Sequence, residues 1–175
     1  MLLFESATPT DIGIILLNVR IIFVGAPKES YFSEAVAEYE KRLKAYCRIE
    51  NVMVKDEKLS EKPSDSEVSA ALDKEGERVL AALVPRSYKI ALCVEGKELS
   101  SEKFAELIES AATCGDGTIC FIIGGSFGLS DKVKKRVDFR LSVSPMTFPH
   151  RMMRMILLEQ VYRAFNIISG GKYHK

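Results

Sequence analysis

The stretch FIIGGSFGLSDKVKKR, residues 121–136, decides the fold. It finishes the most apolar strand-like run of the chain, TICFII (118–123), breaks at Gly124, Gly125 and Gly128, and reopens as a short helix with Ser130 as N-cap and Asp131 in the first turn. Downstream, residues 139–143 form a last short strand. Pro149 then stands where the first turn of a long helix begins, and that helix runs to residue 169 before Gly170 and Gly171 stop it.

Upstream, the same alternation repeats. The β-branched run VRIIFV (19–24) is ended by Gly25, and Phe32, Val36, Tyr39 and Leu43 follow at helical spacing. Residues 47–54 read as a second strand and the charged, Pro63-broken stretch 55–65 as a loop. A long helix from about residue 66 carries Val68, Leu72, Val79, Leu80 and Leu83 on its apolar face until Pro85 ends it, with Gly76 as a weak point. YKIALCV (88–94) is a buried strand, Glu95 and Gly96 make a turn, and residues 100–112 form a helix with Phe104, Leu107, Ile108 and Ala111 inward. Strands separated by helices call for a parallel α/β sheet, whose ligands bind beyond the carboxyl ends of the strands. Three loops meet that condition: Glu95 with Gly96, residues 124–128, and residues 144–148.

The glycine loop matches neither common phosphate-binding template. GGSFG lacks the GK[ST] ending of a P-loop and does not have GxGxxG spacing, so neither a triphosphate nor a dinucleotide is indicated. Its glycines permit close approach of a ligand, and they equally fit a tight strand-to-helix turn. The final helix is unusual in that Met152, Met153, Met155, Ile156, Leu157, Leu158, Val161, Tyr162, Phe165, Ile167 and Ile168 cover nearly its whole circumference. One apolar stripe suffices to face one core, so this helix is expected to pack on its own sheet and against a second copy of the chain, as a homodimer. Arg154, Glu159 and Arg163 argue against membrane insertion.

Charge is distributed unevenly. Residues 132–175 hold ten Lys and Arg against Asp138 and Glu159, a net +8, while the remaining 15 cations and 22 acids leave −7 elsewhere. A cationic segment on an acidic body suits a polyanion such as RNA; a solvated surface balanced by acids elsewhere in the chain fits the same count. The 175 residues, 47% hydrophobic, suffice for one domain with a sizeable core. Cys47, Cys93, Cys114 and Cys120 show no CxxC spacing, which leaves no zinc or redox motif and fits free thiols in a cytoplasmic protein. Residues 1–18 lack a basic region before a short apolar run and are expected to be an extension without chemistry, ahead of a single domain over 19–175.

IGGSFGLS, MTFPHRMMRMILLEQVYRAFNI and the ending YHK resemble the bacterial ribosomal RNA large subunit methyltransferase H family, a compact branch of the SPOUT methyltransferases. RIIFVG, FSEAVAEYEKRL, LDKEGERVL and LCVEGK extend the resemblance over essentially residues 19–175. It implies an α/β sheet with a C-terminal deep trefoil knot, a homodimer, S-adenosylmethionine as methyl donor, and N3 of a pseudouridine in 23S rRNA of the assembled ribosome as acceptor. The family's donor-binding positions fall on Leu92, Gly124, Val143, Ser144, Pro145, Met146, Thr147 and Phe148. Core packing is the alternative for Leu92 and Phe148.

His150, at the start of the last helix where the helix dipole disfavours its charged form, is a catalytic candidate; capping or packing is its alternative. Glu159 is a second candidate base, although an ion pair with Arg163 four residues on fits as well. The family's shared ending adds Tyr173 and His174 at the acceptor, with Arg154, Arg163, Lys172 and Lys175 toward phosphates. A frayed terminus is the plain alternative for the tail. A SPOUT enzyme acting on tRNA and a non-enzymatic ribosome-binding factor are the competing functional readings.

Overall fold

The computed structural model describes residues 17–26 and 30–174. The expected extension therefore lies largely outside the described residues. Ten elements follow in chain order: β1 (Leu17–Val24), α1 (Ser30–Leu43), β2 (Cys47–Val54), α2 (Asp65–Ala82), β3 (Tyr88–Glu98), α3 (Ser101–Cys114), β4 (Thr118–Ile123), α4 (Asp131–Lys134), β5 (Phe139–Ser142) and α5 (His150–Ile168). The strands form one parallel sheet in the order β2-β1-β4-β3-β5.

Helices cover both faces of this sheet, which is why its central strands read as unbroken apolar runs. In β4, Ile119, Phe121 and Ile123 join the core beneath α1, α3 and α5, while Ile122 joins a second core beneath α2 and α4. Register locks the layers together, with Phe121 opposite Ile21 of β1 and Ile90 of β3. Phe121 has no exposed surface.

Two local signals set the helix starts. Ser64 and Glu67 form a reciprocal capping box, in which the Ser64 hydroxyl accepts from the Glu67 N–H and the Glu67 carboxylate accepts from the Ser64 N–H, so α2 begins at Asp65, slightly before the predicted residue 66. Ser100 and Ser130 cap α3 and α4 by accepting from the Lys103 and Val133 N–H groups, without a reciprocal bond.

The structure corrects two expectations. The buried stripe of α2 is Ala71, Glu75, Gly76 and Val79, while the predicted Val68, Leu72, Leu80 and Leu83 are only half-buried. The reason is a close approach: a methyl group at Gly76 would collide with the Ser130 hydroxyl, so the contact line of α2 needs its smallest residues. Glu95 and Gly96 do not turn the chain; they lie within β3, where its pairing with β5 slips, Leu141 facing Leu92 and then Lys97. Gly96 is required there because a Cβ would sit 2.6 Å from the Leu141 carbonyl carbon. Within its own chain α5 packs against both α1 and α3, while Met152, Met155 and Ile156 stay half-buried and Ile168 exposed.

Candidate active-site cleft

The carboxyl ends of β4 and β5, beside the middle of β3 where its pairing slips, open into a cleft of about 670 Å³. Its walls come from residues 92–95 of β3, the glycine loop 123–129, residues 141–144 and 146–150 after β5, and Met153 of α5. Leu92, Gly124, Val143, Ser144, Met146, Thr147, Phe148 and His150 all line it, whereas Pro145 is exposed and outside the lining. Met146 is 70% exposed and Phe127 52%, so apolar side chains stand unburied around the opening.

Local hydrogen bonds shape both loops. Gly128 donates its N–H to the Gly125 carbonyl at 3.1 Å, and its φ of +84° suits glycine. A Cβ at Gly124 would overlap the Gly128 carbonyl group. The glycine at 124 is thus demanded by closure of the loop on itself, before any ligand is considered. After β5, the Ser144 hydroxyl accepts from the Met146 N–H at 3.0 Å, and the Ser142 hydroxyl donates to the Ser144 carbonyl at 3.1 Å.

Sequence reading placed Glu95 at a ligand-facing loop but missed its partner Lys134, as well as Cys93, Glu75 and Met153 as site residues. Glu95 and Lys134 meet at 2.6 Å on the rim, and the ammonium holds the Glu95 carboxyl below the usual carboxylate range. Burial, with the Glu95 charge adding to it, pushes the neighbouring Cys93 thiol up. Behind the glycine loop, buried Glu75 accepts the Glu57 N–H at 2.8 Å, and its other oxygen lies 3.6 Å from where a Cβ of Gly125 would be. Burial raises its pKa. Met153 had a usable signal, three residues after His150 on the same helix face.

The remaining catalytic candidates assemble elsewhere. Glu159 forms an ion pair with Arg163 and accepts from the Tyr173 hydroxyl at 3.2 Å. Arg163 also lies 4.7 Å from the Tyr173 ring centroid, and His174 Nε2 is 2.8 Å from a Glu102 carboxylate oxygen. The Tyr173 phenol is pushed up to about 12, first by the Tyr39 hydroxyl, then by burial and the Glu159 charge. Glu102 is held down at about 2, first by the Ser100 hydroxyl, with His174 contributing. None of Glu159, Tyr173 and His174 lines the cleft. Nine residues separate Glu159 from His150 along α5, about 13 Å at the helical rise.

The expected phosphate contacts are similarly divided. Arg154 stacks 4.6 Å from the Phe23 ring centroid and bonds Glu40 at 2.8 Å, so it is committed to α1 and β1. Arg163 is committed to Glu159. Lys172 is exposed, and Lys175 lies outside the described residues.

A family model described as "Predicted SPOUT methyltransferase" matches residues 17–174. Ribosomal RNA large subunit methyltransferase H from Bacillus pumilus and its counterpart from Clostridioides difficile are each 49% identical over 159 residues, 91% of this chain and the whole of each relative. The chain belongs to the SPOUT methyltransferase family, with these proteins as relatives. A solved structure described as a "Probable Methyltransferase" from Bordetella pertussis is 17% identical and aligns with a TM-score of 0.55 over 86% of this chain and 97% of its own, which shows a common fold. Within a SPOUT chain, the cleft and the tail cluster are therefore two separate groupings of the residues that the motifs singled out. Among the described residues no helix is long and apolar enough to cross a membrane, and no group of His, Cys, Asp and Glu could hold a metal ion.

Proposed function

We propose that the protein methylates 23S rRNA of the assembled ribosome, at N3 of a pseudouridine, as a cytoplasmic S-adenosylmethionine-dependent homodimer. The observation that carries this reading is the cleft itself. A concave, partly apolar site beyond the ends of β4 and β5, with polar groups on two tight loops, is the kind of place where a cofactor binds, and its volume lies within the usual range of about 300–1,000 Å³. Leu92, Met146 and Phe148 would flank the donor, with the backbone of the glycine loop and residues 142–148 supplying polar contacts. The donor, when bound, supplies an electrophilic methyl group. The 49% identity to full-length relatives named as large-subunit rRNA methyltransferases supports the acceptor class.

The protein's own contribution is positioning and removal of the N3 proton. His150 is the one catalytic candidate in the cleft, and we assign it the proton. Glu159, Tyr173 and His174 reach an acceptor only if the tail cluster of one subunit stands beside the cleft of the other. A knot also belongs to this reading: α4 packs with α2, α5 packs with α1 and α3, and the chain changes sheet face through the loop 143–149 that borders the cleft.

Incubating the protein with labelled S-adenosylmethionine and ribosomes from a strain lacking this methyltransferase tests the proposal. Label is expected in 23S rRNA. Label in purified tRNA but not in ribosomes would replace the acceptor, and failure to bind S-adenosylhomocysteine in calorimetry would leave a ribosome-binding factor.

A further inference from the structure

The excess positive charge of the C-terminal segment resolves, in the fold, into spent and unspent cations. Lys132 pairs with Asp73 at 3.2 Å, Lys134 with Glu95 at 2.6 Å, Arg154 with Glu40 at 2.8 Å, and Arg163 with Glu159. Arg151 is also engaged. Lys135, Arg136 and Arg140 are exposed and form no ion pair among the described residues. These three fall within six consecutive positions, from the end of α4 into the edge strand β5, whereas Lys172, also exposed and without an ion pair among the described residues, lies in the tail.

Lys135 and Arg140 line a second concavity, of about 530 Å³, together with Glu95, Asp131, Lys134 and Asp138, and Arg136 follows Lys135 in the chain just outside that lining. It shares Glu95 and Lys134 with the donor cleft, so the two depressions are neighbours across one ion pair. The acids in it are largely neutralised. Glu95 is bound by Lys134, and Asp138 accepts the Lys89 N–H at 2.7 Å with the Lys89 ammonium at 3.8 Å. Asp131 sits at the helix N-terminus, where the peptide dipoles offset its charge. Along β5, Leu141 points into the core beneath α1, α3 and α5, so Arg140, one residue before it, points to the opposite face, toward α4.

We propose that this groove on the β5 edge is the track for the RNA backbone next to the target nucleotide, with Lys135, Arg136 and Arg140 meeting phosphates. The proposal rests on the rRNA methyltransferase reading and adds to it where the strand lies. It also moves the phosphate contacts away from Arg154 and Arg163, whose guanidinium groups are already held by Glu40 and Glu159. Unpaired cations in a groove attract a polyanion without sequence selectivity, by displacing its condensed counterions, and that leaves a signature in salt dependence.

The test is methylation of ribosomes by the full chain carrying Lys135→Ala, Arg136→Ala and Arg140→Ala together, measured over a range of potassium chloride. KM for ribosomes should rise roughly tenfold or more, with kcat and the affinity for S-adenosylhomocysteine unchanged. The slope of log kcat/KM against log salt should become shallower by about two, given about 0.7 per lost single-strand phosphate contact. The charge-keeping set Lys135→Arg, Arg136→Lys and Arg140→Lys should retain the wild-type slope. Lys41→Ala, Lys44→Ala and Arg48→Ala, around the opposite β2 edge, should retain it too. An unchanged slope and KM in the first variant, or the same change in the β2-edge variant, overturns the proposal while leaving the methyltransferase reading intact. If wild-type protein places no label in ribosomes, the reading fails and the groove's role falls with it.

Discussion

The two ends of α5 make opposite use of one helix. At its start, Pro149 provides no side-chain cap, and His150 and Met153 border a cleft with exposed apolar residues around it. Toward its end, Glu159, Arg163 and the tail residues Tyr173 and His174 bond one another and Glu102. The first end is left open and the second is internally satisfied. A motif such as MTFPHRMMRMILLEQVYRAF suggests a single catalytic unit, yet in one chain it spans two environments about 13 Å apart. Residue type nominates a site, but whether a side chain borders the cleft or closes the tail cluster determines where it can act.

The largest expected effect is at the open end. Gly124→Val should abolish donor binding and turnover, and should lower thermal stability as well, because the side chain strikes the Gly128 carbonyl group rather than only the ligand space. Calorimetry with S-adenosylhomocysteine and a melting curve check both parts; lost binding with full stability would return the glycine to a ligand-contact role.

His150→Ala should lower kcat by roughly a hundredfold or more with donor affinity retained, as for loss of a general base. Tyr173→Phe is the matching probe at the closed end. Mixing these two inactive variants should restore activity if the tail of one subunit serves the cleft of the other. Full activity of Tyr173→Phe alone would make the tail cluster purely structural.

A smaller effect is expected at Gly76→Ala, away from both ends. Displacing Ser130, the cap of α4, should cost about 1–3 kcal/mol in denaturant unfolding, as overpacking usually does. The mildest test is pH. Because the Tyr173 phenol is raised from 10 to about 12, its neutral form is favoured by the fold, and that contribution is complete below pH 10 and lost as pH rises through about 12. An ultraviolet titration should therefore show one tyrosine ionising near 12. A Tyr173 midpoint near 10 would mean that the tail is not docked.

Much of the fold was legible because the signals were local. TICFII has too few polar residues to be anything but a central strand, and Ser100 and Ser130 mark the helices after them. The slip in β3 was not legible, since Glu95 and Gly96 are as suitable for a turn as for a strand whose Gly96 must pass close to Leu141. The buried face of α2 was misjudged for a related reason: close helix approach selects small residues, which a search for large apolar ones passes over. In the candidate site, the family motifs brought out Leu92, Gly124, Val143, Ser144, Met146, Thr147, Phe148 and His150, while Pro145 stands outside the lining and Cys93, Lys134 and Met153 within it were missed. The partners of the cations were out of reach. Arg154 and Glu40 are 114 residues apart in the chain, and no spacing rule links them.

Cys93 gives the cleft a further property. A thiolate facing an electrophilic methyl donor would be alkylated, and each such event would inactivate one enzyme molecule. Burial and the nearby Glu95 carboxylate keep this sulfur protonated and therefore a poor nucleophile. Burial of this thiol thus has a protective side, which Glu95 reinforces and Lys134 partly offsets, and the mass of the chain should stay unchanged after long incubation with S-adenosylmethionine.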